Sequence, residues 1–261
     1  MKQFTFQLYS DLHLEYSKNI PKIKPLTKYL FLAGDIGKIN TDTFEPFFDY
    51  CSTKWEKIFY CLGNHEFYHS SETFSQLRNE YKLFFSKYDN VILIDNTSYE
   101  FENFVVLGNT LWSHPDNETG LNDFKFIKTI KEDISKKYNL TIKDFQEMHK
   151  ESKDYILKQI EKYNNKNIII LTHFPPSQKN TSSEKYKNQS KHYINYFASN
   201  FIDDFQEKND IICWIYGHTH FSNFMDSNKN FKLVSNQLGY TDEINDVNFN
   251  EDGLYNVSCK Y

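Results

Sequence analysis

Short apolar runs recur along the chain, and most of them break off at Gly, Asp, Asn or His. Tyr29-Leu30-Phe31-Leu32-Ala33, Ile58-Phe59-Tyr60-Cys61-Leu62 and Asn167 to Thr172 carry no polar face. Runs of this kind predict strands buried on both sides, as in a parallel sheet. Phe4 to Tyr9 alternates, and Asp210 to Tyr216 reads as a further strand. Val91 to Ile94, Phe104 to Leu107, Phe231 to Ser235 and Leu254 to Lys260 are shorter strand candidates. Between them the period changes to that of a helix. Asp42 to Lys57 sets Phe44, Phe47, Phe48 and Cys51 on one side. Ser71 to Tyr88 does the same with Phe74, Leu77, Tyr81 and Phe84 or Phe85. Tyr193 to Phe205 also reads as a helix. Strands alternating with helices predict an α/β fold.

Residues 114–163 change character, becoming polar, lysine-rich and mostly helical in period. The best helix runs from Asp144 to Tyr163, with Phe145, Met148, Tyr155, Ile156 and Ile160 on its apolar face. This segment is expected to be an excursion over the loop end of the sheets, within a single domain spanning 1–261. Asn122-Asp123 and His149 lie in it, where a helix cap and an exposed helix face are the default roles. Ser177 to His192 is a Ser/Lys/Asn-rich loop with Lys179, Lys185, Lys187 and Lys191. A solvated loop is the simpler account, and a positive lid over a phosphate-bearing substrate the sharper one.

Composition narrows the class. Hydrophobic residues make up 39 % of the 261, enough for a substantial core. The net charge of −5 gives no basic field for non-specific nucleic-acid binding. The first residues lack a signal-peptide pattern, and no apolar run is long enough to span a bilayer. The four cysteines form no C-x-x-C pair. Buried reduced thiols in a cytoplasmic protein are therefore expected.

The strand ends carry the chemistry. Asp11-Leu12-His13 follows the first strand, Gly34-Asp35 the second and Gly63-Asn64-His65-Glu66 the third. His173 and Gly217-His218-Thr219-His220 end two later ones. Residues i and i+2 of an extended end face the same side, so Asp11 with His13, and His218 with His220, can each face one ion. A lone Asp-x-His is usually a turn or cap. Five of nine histidines at strand ends, joined by Asp11, Asp35 and Asn64, are hard to explain as packing. In open α/β sheets the strand C-termini share one ligand-binding edge. Carboxylate and amide oxygens mixed with imidazoles suit Mn, Fe, Zn, Co or Ni.

These motifs, in this order, resemble the five motifs of calcineurin-like metallophosphoesterases. The resemblance spans Asp11 to His220 and looks closest to compact cytosolic members of bacterial type. Similar stretches there include Thr110-Leu111-Trp112, Leu121-Asn122-Asp123-Phe124 and Asn236-Gln237-Leu238-Gly239-Tyr240. It implies a four-layer α/β/β/α sandwich with a dinuclear metal site at the strand C-terminal edge. It further implies that Asp11, His13, Asp35 and His220 bind one metal. Asp35, Asn64, His173 and His218 would bind the other, with Asp35 bridging. His65 would stay off both as a catalytic residue. Two divalent ions less the charges of Asp11 and Asp35 leave a centre of about +2, which attracts phosphate. The implied reaction is in-line attack of a metal-bridging hydroxide on a phosphomonoester or phosphodiester of small or nucleotide-like type.

Departures from the family pattern narrow the substrate. Phosphoprotein phosphatases and diadenosine-polyphosphate hydrolases extend Gly-Asp into G-D-x-V-D-R-G. Here Ile36-Gly37-Lys38 follows, and Arg78 is the only arginine. A nuclease on single-stranded nucleic acid is the alternative, together with a non-catalytic protein-binding scaffold of the same fold. The scaffold ranks lower because all eight motif positions hold competent residues.

Overall fold

The computed structural model describes residues 2–68, 70–117, 120–130, 136–163, 165–186, 188–203, 210–241, 243 and 248–260. The first half of the chain gives β1 (Gln3–Tyr9), β2 (Tyr29–Ala33), α1 (Phe44–Ser52), β3 (Lys57–Cys61), α2 (Phe74–Phe85), β4 (Val91–Leu93), β5 (Thr97–Phe101) and β6 (Phe104–Asn109). Then follow α3 (Asn122–Phe126), β7 (Lys128–Ile130), β8 (Lys137–Asn139), α4 (Ile142–Lys162) and β9 (Asn167–Thr172). The chain continues with α5 (Lys191–Phe197), β10 (Ile211–Ile215), β11 (Asn223–Asp226), β12 (Lys232–Ser235) and β13 (Leu254–Ser258).

Two sheets result, in the orders β13-β1-β2-β3-β4 and β11-β12-β10-β9-β6-β5, beside a small β7-β8 hairpin. Their inner strands are parallel, and β13, β5 and β11 join antiparallel at edges. Strand alternation sorts side chains into two cores. Phe31, Phe59, Ile169 and Leu171 fill the space between the sheets. Phe4 stacks against Phe104 there at 4.5 Å, and Phe31 against Phe59 at 4.9 Å. Leu30, Leu32, Ile58 and Tyr60 face outward with Phe44, Phe48 and Phe85 of α1 and α2. Ile168 and Ile170 share a core with Ile156 and Ile160 of α4. The layers are therefore α/β/β/α, an α/β sandwich whose parallel strands send their C-terminal ends to one edge.

Local chemistry sets the helix limits. Thr141 and Asp144 form a reciprocal capping box, so α4 begins two residues before the expected Asp144. Thr73 and Gln76 do the same for α2. α5 starts at Lys191 because the Ser190 hydroxyl accepts from the Tyr193 N–H, and it stops where Ala198 turns extended. The end of the helix expected there, at Phe205, lies outside the described residues. The segment 114–163 contains the β7-β8 hairpin as well as helix. Its α4 packs on β6, while the start of α3 lines the cavity described below. Among the described residues, no helix is long and apolar enough to cross a membrane. All four cysteines are free and buried.

Candidate metal centre

The loops that leave β1 and β2, and those that leave β9 and β10, are stitched together by their own backbones. The Asp11 N–H donates to the Gly34 carbonyl and the His13 N–H to that of Asp35, both at 3.0 Å. The Gly217 N–H donates to the His173 carbonyl at 2.8 Å. The Gly239 N–H, beyond β12, reaches the Asp11 carbonyl at 3.1 Å. Asp11, His13, Asp35, His218 and His220 all sit in the left-handed backbone region, with φ between 47° and 78°. For residues with a Cβ this costs roughly 1–2 kcal/mol each. Such strain persists only where surrounding structure enforces it.

Glycines clear the space. A Cβ on Gly63 would lie 2.2 Å from Asp35 Oδ1. Close approach, and not a positive φ, is what requires glycine at this position. Gly34 needs both freedoms. Its φ is +84°, and a Cβ would lie 2.3 Å from His173 Nδ1.

Two groups of ligating atoms converge: Asp11, His13 and His220, and Asp35, His173 and His218. In the first, His13 Nε2 and His220 Nε2 are 3.1 Å apart, and His220 Nε2 is 3.5 Å from Asp11 Oδ1. In the second, His173 Nε2 lies 2.9 Å from Asn64 Oδ1, 3.2 Å from His218 Nδ1 and 3.4 Å from Asp35 Oδ2. One ring proton cannot serve three acceptors. Ligands bonded at about 2.1 Å to one ion are themselves separated by roughly 3.0–3.4 Å, which is this spacing.

The far ring nitrogens agree. His173 Nδ1 faces the Ala33 carbonyl at 2.8 Å, leaving Nε2 to turn inward. His220 Nδ1 is paired with Glu243, and His13 Nδ1 lies 3.5 Å from Glu15 Oε1. A carboxylate or carbonyl behind each imidazole is the usual support of a metal-binding histidine. The buried Nε2 of His218 has no hydrogen-bond partner. The donor set therefore fits divalent cations. Electrostatics points the same way. Burial opposes a charge on His173, yet Asp35 pushes its pKa up to about 9. Burial likewise opposes a charge on His220, but Asp11 and Glu243 push it up to about 10. The carboxylates thus make this a cation-attracting pocket.

Asn64 is held from behind. Its Nδ2 donates to Asp123 Oδ1 at 2.9 Å and to the Tyr68 hydroxyl at 2.8 Å, which aims Oδ1 at His173. Tyr68 and Tyr196 hydroxyls also donate to Asp123. Asp123 is thus a buried support for Asn64 and not a helix cap, since α3 has no side-chain cap. His149 is likewise not on an exposed face. It is buried, with Nδ1 on the Trp112 carbonyl. Glu66, given no role by the sequence, receives the Gly63 N–H at 2.8 Å, the Asp35 N–H at 3.1 Å, the Ile36 N–H at 2.9 Å and the Tyr60 hydroxyl at 2.6 Å. It ties the β2 and β3 motif loops together.

His65 stands apart from both groups. Its N–H donates to Asp35 Oδ1 at 2.8 Å, while its ring nitrogens face Glu15 Oε1 at 3.2 Å and the Tyr240 hydroxyl at 3.0 Å. With His13 and Glu15 it forms a third trio of possible ligands. Asp35, Asn64, His65, His218 and His220 line one side of a cavity of about 260 Å³. From the segment 177–192, Gln178, Thr181, Ser182 and Tyr186 line it, and no lysine does among the described residues. Lys179 instead pairs with Asp203 at 3.1 Å, and Lys187 lies outside the described residues. The described wall of that segment is thus polar and aromatic, not a ring of positive charge.

The sequence model of the calcineurin-like phosphoesterase family matches residues 5–222. An uncharacterized protein of Acanthamoeba polyphaga mimivirus is 34 % identical over 263 residues, covering 92 % of each chain. Among solved structures, the phosphopantetheinyl hydrolase of Mycobacterium tuberculosis superposes with a TM-score of 0.66. That match has 15 % identity and covers 97 % of this chain and 95 % of the other, so it speaks to the fold alone. With the family's sequence pattern running through every loop that builds the cluster, the chain belongs to the calcineurin-like phosphoesterases.

Proposed function

We propose that the protein hydrolyses phosphate monoesters or diesters, on small or nucleotide-like substrates, at a centre of two divalent metals. In this reading Asp11, His13 and His220 hold one ion, Asn64, His173 and His218 hold the other, and Asp35 bridges them. The observation that carries the proposal is the convergence of two ligand trios beside one cavity. Bound there, the ions would supply Lewis-acid charge to phosphoryl oxygens and lower the pKa of a water. The chain's own residues do the rest. Glu66 and Asp123 fix Asp35 and Asn64. His65, with its ring on the cavity wall and off both trios, would protonate the leaving oxygen from Nε2 once that oxygen takes the place of the Tyr240 hydroxyl, while Glu15 on Nδ1 sets the ring's angle. Free buried thiols suit a reducing, cytoplasmic setting, and we read 1–261 as one domain.

The test is elemental analysis and turnover of Mn-supplemented protein on para-nitrophenyl phosphate and its bis-ester. Close to two ions per chain and metal-dependent hydrolysis are expected. Asp35→Ala should lower occupancy of both sites, and full occupancy there would remove the bridge. His65→Asn should keep both ions and lose roughly 10²–10⁴ in rate, most on esters with poor leaving groups. Loss of an ion in that variant would make His65 a ligand. Absence of hydrolysis in metal-loaded protein would overturn the enzymatic reading.

A further inference from the structure

Part of the cavity lining beside the ligand atoms is aromatic. Tyr186, Tyr193 and Phe197 line it together with Leu121 and Ile194. The rings form a ladder that climbs α5 toward the cluster. Tyr186 and Tyr193 are 6.3 Å apart between centroids, Tyr193 and Phe197 4.7 Å, and Phe197 and His218 5.5 Å in stacked orientation. These side chains are only partly buried, although α5 could have hidden them in the core. An aromatic row left open inside a cavity, ending on a ligand-bearing ring, is a surface for another flat ring. The cavity's size limits the occupant. At about 260 Å³ it falls just under the roughly 300 Å³ at which pockets for drug-sized ligands begin. A phosphoryl group and one ring system fit that space, whereas a polymer strand would not be enclosed.

We propose that the esterified group of the substrate carries a flat apolar ring, seated against Tyr193 and Phe197 while its phosphoryl group meets the cluster. This rests on the phosphoesterase reading and names the substrate class for it. The Asp123–Tyr196 hydrogen bond anchors α5 to the support of Asn64, so the ring wall and the ligand wall keep a fixed spacing.

Two pairs of probes test this, chosen so that ring and alkyl members share a primary carbon next to the phosphorus group. Calorimetry on Mn-loaded protein compares benzylphosphonate with ethylphosphonate, which cannot be hydrolysed. Turnover compares benzyl phosphate with ethyl phosphate. The ring member should bind about tenfold more tightly, with a similar advantage in kcat/KM, as expected for one added aromatic contact. In Tyr193→Ala the ratio between the two members should fall toward one. Equal affinities in the wild type, or a ratio untouched by Tyr193→Ala, would overturn the inference while leaving hydrolysis intact. A ring preference in binding with no turnover of either ester would keep the ring seat beside the cluster but overturn the phosphoesterase reading, and with it the assignment of that ring to a substrate.

Discussion

Glu66→Gln is a near-isosteric change at the point where two motif loops are tied. Oε2 of Glu66 accepts from the Gly63 and Asp35 N–H groups, and Oε1 from the Ile36 N–H and the Tyr60 hydroxyl. The three backbone N–H groups can only donate, whereas the Tyr60 hydroxyl can turn to accept. A glutamine retains one acceptor oxygen and presents an NH₂ in place of the other. Whichever way the amide turns, at least one buried backbone N–H then meets a donor. Each unsatisfied buried donor costs roughly 1–3 kcal/mol, and the amide takes the cheaper orientation, so the variant should lose about 1–3 kcal/mol. Burial and the charge of Asp35 hold the Glu66 pKa up to about 8, so urea unfolding of metal-free protein at about pH 9, where the carboxylate is ionised, measures this as a fall in midpoint. With a slope of about 3 kcal/mol/M for a chain of this size, the fall should be roughly 0.3–1 M. Occupancy of the Asp35 site should drop as well, since the Asp35 backbone loses its anchor. A midpoint within about 0.2 M of the wild type would refute the reasoning, because Glu66 would then not be accepting from all four groups.

Asp123→Asn should free the Asn64 amide to rotate and weaken the ion nearest His173 by roughly 10–100-fold, as loss of an outer partner typically does. A Mn titration resolving two affinities checks this, and equal weakening of both ions would contradict it. His149 sets an acid limit on stability. Burial holds its pKa down to about 4, below the ordinary imidazole value near 6.5, so the unfolded chain binds the extra proton first. Its contribution is present above about pH 6.5 and is lost as pH falls toward 4, to a total of at most about 3 kcal/mol. His149→Gln should flatten that part of the stability profile between pH 6.5 and 4, and an unchanged acid slope would refute the assignment.

What the sequence disclosed follows burial. β2 and β9 end where their apolar runs end, because strands covered on both faces leave no ambiguity of pattern. β5 and β11 escaped notice because they are half-exposed edges in which polar residues interrupt the run. The strand-end motifs were visible as local spacing. Their supports were not, since Glu66 acts on residues about 30 positions away and Asp123 on Asn64 across 59. A hint was available in Asp123, an acid between Asn122 and Phe124 in a short helix with no side-chain cap of its own. The lysines of 177–192 attracted attention by charge, whereas the cavity takes that segment's tyrosine.

The cluster joins parts of the chain made far apart in time. The His218 N–H rests on Asp11 across 207 residues, and His173 meets Asn64 across 109. Closing loops of such length consumes chain entropy before any contact returns it, so pairings of this kind form late in folding. During synthesis, the β1, β2 and β3 motifs leave the ribosome well before β9 and β10. Until then Asp11, Asp35 and Asn64 have none of their histidine partners from the second sheet. A complete ligand set of the proposed kind would therefore exist only after the second sheet has joined the first. An ion held by the proposed ligands would act as a seal, taken up once both sheets have met, and its retention would mark a molecule whose assembly has succeeded.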